Sequence, residues 1–346
     1  MTRTPPMRST VKWFGAAAVA ASLIATSACG TASSASSDGG TTLSLVGFAV
    51  PEQANKDIAA EWEKTPEGKD VTWKTSYGAS GDQSRAVESG LDADYVHFSL
   101  EGDVTRLVDA GLVAKDWNAG PNKGIVSQSV VVLVVRKGNP KNIKGWDDIV
   151  KPGVGIVTPN PGSSGSARWN IMAAWNHVLA GGCTEKEANA FVTKFFDNVV
   201  ALPGSGREAT TAFTSGNGDV LISYENEAIL ARANGEDFDY IVPDDTLLIE
   251  NPGAVLEKAD PKAQDWLDFL LTDEAQAIFG HDGFRPLSGE VDYEVKGAND
   301  PSAPSPTPAK LATIGKDYGG WPGVNDKFFD EEKGIITKIQ SDTGKQ

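Results

Sequence analysis

The chain has 346 residues, 40% of them hydrophobic and 23% charged, and a formal net charge of −16. That is long enough for a large core and two domains. The acidic residues are spread throughout, and their diffuse negative field argues against nucleic acid and anionic membrane as partners. Any anion this protein binds must be held by local dipoles rather than by a basic field.

The first residues read as a targeting segment. Arg3, Arg8 and Lys12 precede an apolar run, residues 13–25, that is short for a membrane span. Thr26-Ser27-Ala28 then leads into Cys29. This resembles a bacterial lipobox, with Thr26 in place of the usual Leu, in which the cysteine is lipidated and becomes the mature N-terminus. The expectation is a signal peptide over residues 1–28 and a lipid-anchored tether over 29–40, rich in Ser, Gly and Ala. The protein is then exported and held at the outer face of the cytoplasmic membrane through Cys29, or is periplasmic without the lipid. If Cys29 is lipidated, Cys183 is left as a single thiol and no disulfide forms within the chain.

Strands and helices alternate after the tether. Residues 42–48 read as a buried strand, Ala49-Val50-Pro51 as a turn, and 51–64 as a helix carrying Ile58, Ala59 and Trp62 on one face. A strand over 71–76, a turn at Tyr77 to Gly81, a helix from Asp82, a strand over 95–98 and a helix over 104–112 follow. Residues 129–136 are the most strongly strand-like run, rich in β-branched residues. A short helix over 146–150 leads to a strand at 155–157, a turn rich in Pro, Gly and Ser, and a helix over 169–179. A helix over 185–196, a strand over 199–202, a turn at Pro203 to Arg207, another helix, a strand over 219–224 and a helix over 225–232 complete a second series. Short strands at 240–243 and 247–250, one long helix over 261–279, a loop over 298–310 and a last helix over 328–339 finish the pattern. Two βα series imply parallel sheet with helices on both faces.

Four turns between strand and helix stand out: Ala49-Val50-Pro51, Tyr77 to Gly81, Gly162 to Ser166, and Pro203 to Arg207. Ligands of open parallel sheets sit at strand C-terminal ends, where such turns gather. Helix starts carry unpartnered N–H groups and the positive end of the dipole, and small residues let an anion approach them. Serine hydroxyls and backbone N–H groups suit a fully ionised oxyanion, which only accepts hydrogen bonds.

Catalytic patterns are lacking. His97, His177 and His281 are the three histidines, and neither Ser80 nor Ser164 sits in the G-x-S-x-G frame of a serine hydrolase. There is no Walker A loop, no dinucleotide fingerprint after the first strand, and no zinc or calcium spacing. No cofactor or metal is expected.

Dispersed runs in order carry a family resemblance. They are Arg136-Lys137-Gly138-Asn139-Pro140-Lys141, Lys151-Pro152-Gly153, Thr158-Pro159-Asn160-Pro161, Ser163-Ser164-Gly165, Ala167-Arg168-Trp169-Asn170, Gly218-Asp219-Val220-Leu221-Ile222, Glu225-Asn226-Glu227-Ala228 and Tyr318-Gly319-Gly320-Trp321. With these the chain resembles the periplasmic sulfate-binding proteins of sulfate ABC transporters. The resemblance implies a type II periplasmic-binding-protein fold of the α/β class, with two lobes and a ligand cleft between them. Expected lobe 1 is residues 41–125 with about 242–300; lobe 2 is about 126–241 with the C-terminal part of 301–346. It implies a monomer that holds dehydrated sulfate with neutral donors and hands it to a membrane permease. By position, Val50 and Gly206 would give backbone N–H groups, Ser80 its hydroxyl, Ser164, Gly165 and Ser166 donors at one helix start, and Tyr224 a phenol where the family has an indole. Arg168 and Arg207 would fix the turns around the site.

Several positions depart from the family pattern. Tyr224 replaces Trp, Val50 stands where Asp is frequent, Ser166 replaces Gly and Gly206 replaces Ala. Asp82 stands where the family has a basic residue, and capping its helix from outside is its expected role. A phenol can accept as well as donate, so thiosulfate, molybdate or another tetrahedral oxyanion is the alternative ligand. An exported serine hydrolase using Ser80 or Ser164 is the remote alternative.

Overall fold

In the computed structural model, residues 40–288 and 293–346 are described. Cys29, the expected signal peptide and all of the expected tether except Gly40 lie outside them. The first series is β1 (Thr41–Phe48), α1 (Glu52–Trp62), β2 (Val71–Gly78), α2 (Ser80–Glu88), β3 (Tyr95–His97) and α3 (Glu101–Asp109). Then come β4 (Ile125–Arg136), α4 (Trp146–Ile149), β5 (Ile156–Val157), α5 (Gly165–Ala180), α6 (Glu185–Asn198), β6 (Val199–Ala201), α7 (Gly206–Thr214), β7 (Val220–Tyr224), α8 (Glu225–Ala233) and β8 (Phe238–Ile241). The chain returns through β9 (Asp245–Val255), α9 (Lys262–Leu270) and α10 (Asp273–His281). It ends with β10 (Lys310–Ala312), α11 (Ile314–Asp317), α12 (Trp321–Val324), a π-helical turn (Asn325–Phe329) and α13 (Ile335–Thr343).

The strands run in the order β2-β1-β3-β9-β4-β7-β5-β6, with β10 beside β9 and β8 beside β4. β1 is parallel to β2 and β3, and β5 is parallel to β6 and β7. The expectation of parallel sheet holds within each half. Between the halves it is corrected: β3–β9, β4–β9 and β4–β7 are antiparallel. β4 pairs with β9 through Ile125–Val130 and with β7 through Val131–Val135. β9 pairs with β10, then β4, then β3 along its length. Both strands thus pass from one parallel half to the other, which is the two-lobed type II arrangement. The valine run Val130–Val135 is buried on both faces, as a crossing strand between packed layers requires.

Three other expectations change. The short strand at 247–250 is the 11-residue β9. Asn251-Pro252-Gly253 has turn composition, but Pro252 sits opposite Ile125 where the β4–β9 register slips, so its missing N–H costs no ladder bond there. The single helix over 261–279 is two, because Thr272 is extended (φ −76°, ψ 156°) and its hydroxyl caps the second by accepting from the Ala275 N–H. The helix over 328–339 is split into the π-helical turn and α13, with Asp330 accepting from the N–H groups of Glu332 and Lys333 between them.

The tail packs on α5: Trp321 meets Trp169 edge-on at 4.7 Å, and Phe328 meets Trp175 at 4.9 Å. Val295 and Ala298 share an apolar cluster with Val130, Val132 and Ile229. No helix among the described residues is long and apolar enough to cross a membrane.

Candidate functional site: an oxyanion cleft

Helices α2, α3 and α5 begin earlier than their apolar periodicity indicates, at Ser80, Glu101 and Gly165 rather than Asp82, Val104 and Trp169. The small residues ahead of the apolar stripe are therefore the first helical turn. This places Ser80, Gly165 and Ser166 at N-termini, where N–H groups lack internal partners. Ala79, Ser164 and Tyr224 stand at the N-cap positions of α2, α5 and α8 without capping by side chain. Ser205 does cap α7, accepting from the Glu208 N–H. Among the described residues, the backbone N–H groups of Val50, Gly165, Ser166 and Gly206 donate to no protein acceptor.

These groups converge. A Cβ at Gly206 would lie 3.0 Å from Ser166 Oγ and 3.2 Å from a Val50 methyl; one at Gly165 would lie 2.6 Å from Ser99 Oγ. Ser99 Oγ is 2.7 Å from the Tyr224 phenol, and the Ser99 N–H donates to Ser80 Oγ at 2.9 Å. Val50, Ser80, Ser164, Ser166 and Tyr224 are all buried. The cleft is closed: the Gly81 N–H donates to Ser163 O (3.0 Å), Arg207 to Val50 O (3.3 Å) and Arg85 to Gly162 O (3.4 Å), each bond linking the two parallel halves.

Two neighbours of the site were not anticipated from sequence. Ser99 lies at a fifth strand-to-helix turn, between β3 and α3, which has neither Gly nor Pro to mark it. Asp103 accepts the Ser80 hydroxyl at 2.6 Å, so in this arrangement that proton is directed away from the other donors. Asp103 is itself held by Arg106 at 3.3 Å.

Arg168 donates to Pro161 O and Asn325 Oδ1 and lies over the Phe329 ring. Arg207 grips the buried Glu227 carboxylate through two bonds, 2.7 and 3.0 Å. Arg168 thus bonds the turn ahead of α5, whereas Arg207 reaches α8 and the Val50 turn instead of the turn beside it. Asp82 is exposed, pairs with Arg85 and does not cap α2; that role is corrected. The phenols of Tyr77 and Tyr224 are pushed up by burial and stay protonated.

The histidines serve elsewhere. His97 is fully buried, with Nδ1 3.1 Å from Asn55 Oδ1 and Nε2 3.1 Å from Ser127 Oγ, and burial lowers its pKa to about 3. His281 stacks on Tyr293. His177 lies between Asp245 (2.6 Å) and Asp147 (3.2 Å). No histidine is hydrogen-bonded to Ser80 or Ser164, and no group of three or more His, Cys, Asp or Glu among the described residues could hold a metal. Burial opposes the charge on His177, but its two carboxylates outweigh burial and raise its pKa above the ordinary value. A raised folded pKa gives stability that is present below about pH 6.5 and lost as pH rises through the folded value. Melting temperature should therefore fall across that window, and His177→Gln should flatten the fall. A variant with the wild-type slope would deny His177 this part.

A family model for bacterial extracellular solute-binding proteins matches residues 43–285. The chain is 42% identical to the sulfate-binding protein of Synechococcus elongatus, over 94% of this chain and 95% of that one. It is 36% identical to the thiosulfate-binding protein of Pseudomonas aeruginosa, over 80% of this chain and 85% of that one. The solved sulfate-binding protein SubI from Mycobacterium tuberculosis superposes with a TM-score of 0.78 at 44% identity, covering 84% of this chain and all of that one. The chain belongs to the family of bacterial extracellular solute-binding proteins.

Proposed function

We propose that this protein captures sulfate outside the cytoplasmic membrane and delivers it to the permease of an ABC transporter. It works as a monomer, uses no cofactor and catalyses no reaction. The observation that carries this is the gathering of four unpartnered N–H groups, from Val50, Gly165, Ser166 and Gly206, at helix starts and a turn in one closed cleft. Their dipoles supply the positive potential that a protein of net charge −16 otherwise lacks. Ser164, Ser166 and Tyr224 add hydroxyls. Ser80 contributes its hydroxyl after rotating it from Asp103. Several relatives being named for sulfate supports the ligand.

Lobe 1 comprises residues 41–125 and about 242–300, and lobe 2 about 126–241 with the C-terminal part of 301–346; residues 295–298 reach across to pack near Ile229. The change of lobe falls within β4 and β9, and binding closes the lobes by bending there. Export through the N-terminal segment and lipidation of Cys29 would hold the protein near its permease. Thiosulfate is the second reading, favoured by the Pseudomonas relative; it needs room for the larger sulfur atom. A molybdate site would need a wider cage.

Ser164→Ala removes one neutral donor and should weaken sulfate binding by a few-fold to about tenfold, read by calorimetric titration. An unchanged affinity would remove Ser164 from the site.

A further inference from the structure

We infer that Asn325, in the C-terminal tail, is a positioning residue for anion capture: it fixes Arg168 beside the start of α5 and packs on Gly102 of the opposite half when the cleft closes. This rests on the oxyanion reading above and extends it to a segment that supplies none of the donors.

A local departure from α-helix puts Asn325 in place. Gly320 (φ 100°) turns the chain into α12, which runs on into the π-helical turn, and such single turns recur at functional sites. Both ends of the turn meet Arg168. Asn325 Oδ1 accepts from Arg168 Nη1 at 2.8 Å, and the Phe329 ring centre is 4.9 Å from the guanidinium. Arg168 Nε in turn donates to Pro161 O at 3.1 Å, in the turn that leads to Gly165 and Ser166. The next residue, Trp169, meets Trp321 of the tail edge-on and donates from Nε1 across the cleft to Ser99 O at 2.9 Å. Burial pushes the Arg168 pKa down, and the Asp103 carboxylate of the opposite half pushes it back up. The tail therefore braces two α5 residues that lie where the halves meet.

Asn325 also touches the opposite half itself. A Cβ at Gly102, the second residue of α3, would lie 2.9 Å from Asn325 Nδ2. Nδ2 and Oδ1 belong to one rigid amide, so Nδ2 cannot swing clear without loosening Oδ1 from Arg168. α3 follows β3 in one half, whereas the tail packs on α5 in the other. Opening the cleft separates Gly102 from Asn325 and leaves the Arg168 bond intact.

The test is a double-mutant cycle of Gly102→Ala and Asn325→Ala in the purified protein, read by calorimetric titration with sodium sulfate and by melting without ligand. Circular dichroism would establish folding, and Asn325→Ser completes the cycle if Asn325→Ala does not fold. Gly102→Ala alone should raise the sulfate Kd about fivefold or more. Its ligand-free melting temperature should stay level or rise, since alanine suits a helix better than glycine. Asn325→Ala should raise the Kd about three- to tenfold by loosening Arg168. In that background Gly102→Ala should cost less than about twofold, because the clash is gone. A part confined to keeping the tail folded would move the melting temperature and give no coupling in Kd. A wild-type Kd in Asn325→Ala, or an equal cost of Gly102→Ala with and without Asn325, overturns the inference. A wild type that binds no sulfate overturns the sulfate reading itself, and the inference falls with it.

Discussion

Gly165→Ala should weaken sulfate binding by about 10- to 100-fold while leaving the melting temperature of the ligand-free protein nearly unchanged. The added Cβ would sit 2.6 Å from Ser99 Oγ and 2.8 Å from Leu100 Cγ. Ser99 and Leu100 follow β3 in one half of the molecule, and Gly165 opens α5 in the other, so the clash exists only when the cleft is closed. Overpacking of this kind costs about 1–3 kcal/mol, and a cost borne by the closed state alone appears in the dissociation constant. In the open state the substitution is benign, because alanine suits a first helical turn at least as well as glycine. Titration calorimetry and a ligand-free melt separate the two effects. A wild-type Kd would mean that Gly165 does not meet Ser99 in the bound form.

The largest effect on stability is expected from Arg285→Met. Glu225 is fully buried at the start of α8, directly after Tyr224, and its Oε2 accepts from Arg285 Nε at 2.7 Å. Its other oxygen has no partner among the described residues. Removing the guanidinium would strand a buried carboxylate, at a cost of about 3–5 kcal/mol. Burial already raises the Glu225 pKa despite the pull of Arg285, and loss of the arginine raises it further. A carboxyl with a raised folded pKa binds more protons folded than unfolded. Stability then falls as pH rises from about 4.3, the ordinary glutamate value, through the folded value. The variant should lose more stability than wild type across that window and lie closest to it in acid. Combining Arg285→Met with Glu225→Gln should recover most of the loss. Urea unfolding over a pH series measures this; a loss under about 1 kcal/mol at neutral pH would show that the pair is not the anchor of α8.

Local signals made much of this molecule legible. The β-branched run of β4 marked a buried strand, and serine and glycine turns after short apolar strands marked the places where helix starts meet. What escaped depends on partners distant in sequence. Ser99 owes its place to Tyr224, 125 residues away. β9 keeps a strand conformation through Asn251-Pro252-Gly253 because β3 and β4 hold it on either side, overriding a local preference for turn. Thr272 fits a helix by composition as readily as it caps one. The early starts of α2 and α5 were hidden because the residues of their first turns face the cleft, where small size is needed instead of an apolar stripe.

The most direct measurement is the melting temperature of the purified protein against sulfate, thiosulfate, molybdate and phosphate. Sulfate at a hundred times its Kd should stabilise by about 2.7 kcal/mol, a shift of several degrees, with smaller shifts for the others at equal concentration. A larger shift with thiosulfate or molybdate would keep the cleft and change its ligand. No shift with any of the four would contradict the account, because four converging N–H groups would then have no anion to hold.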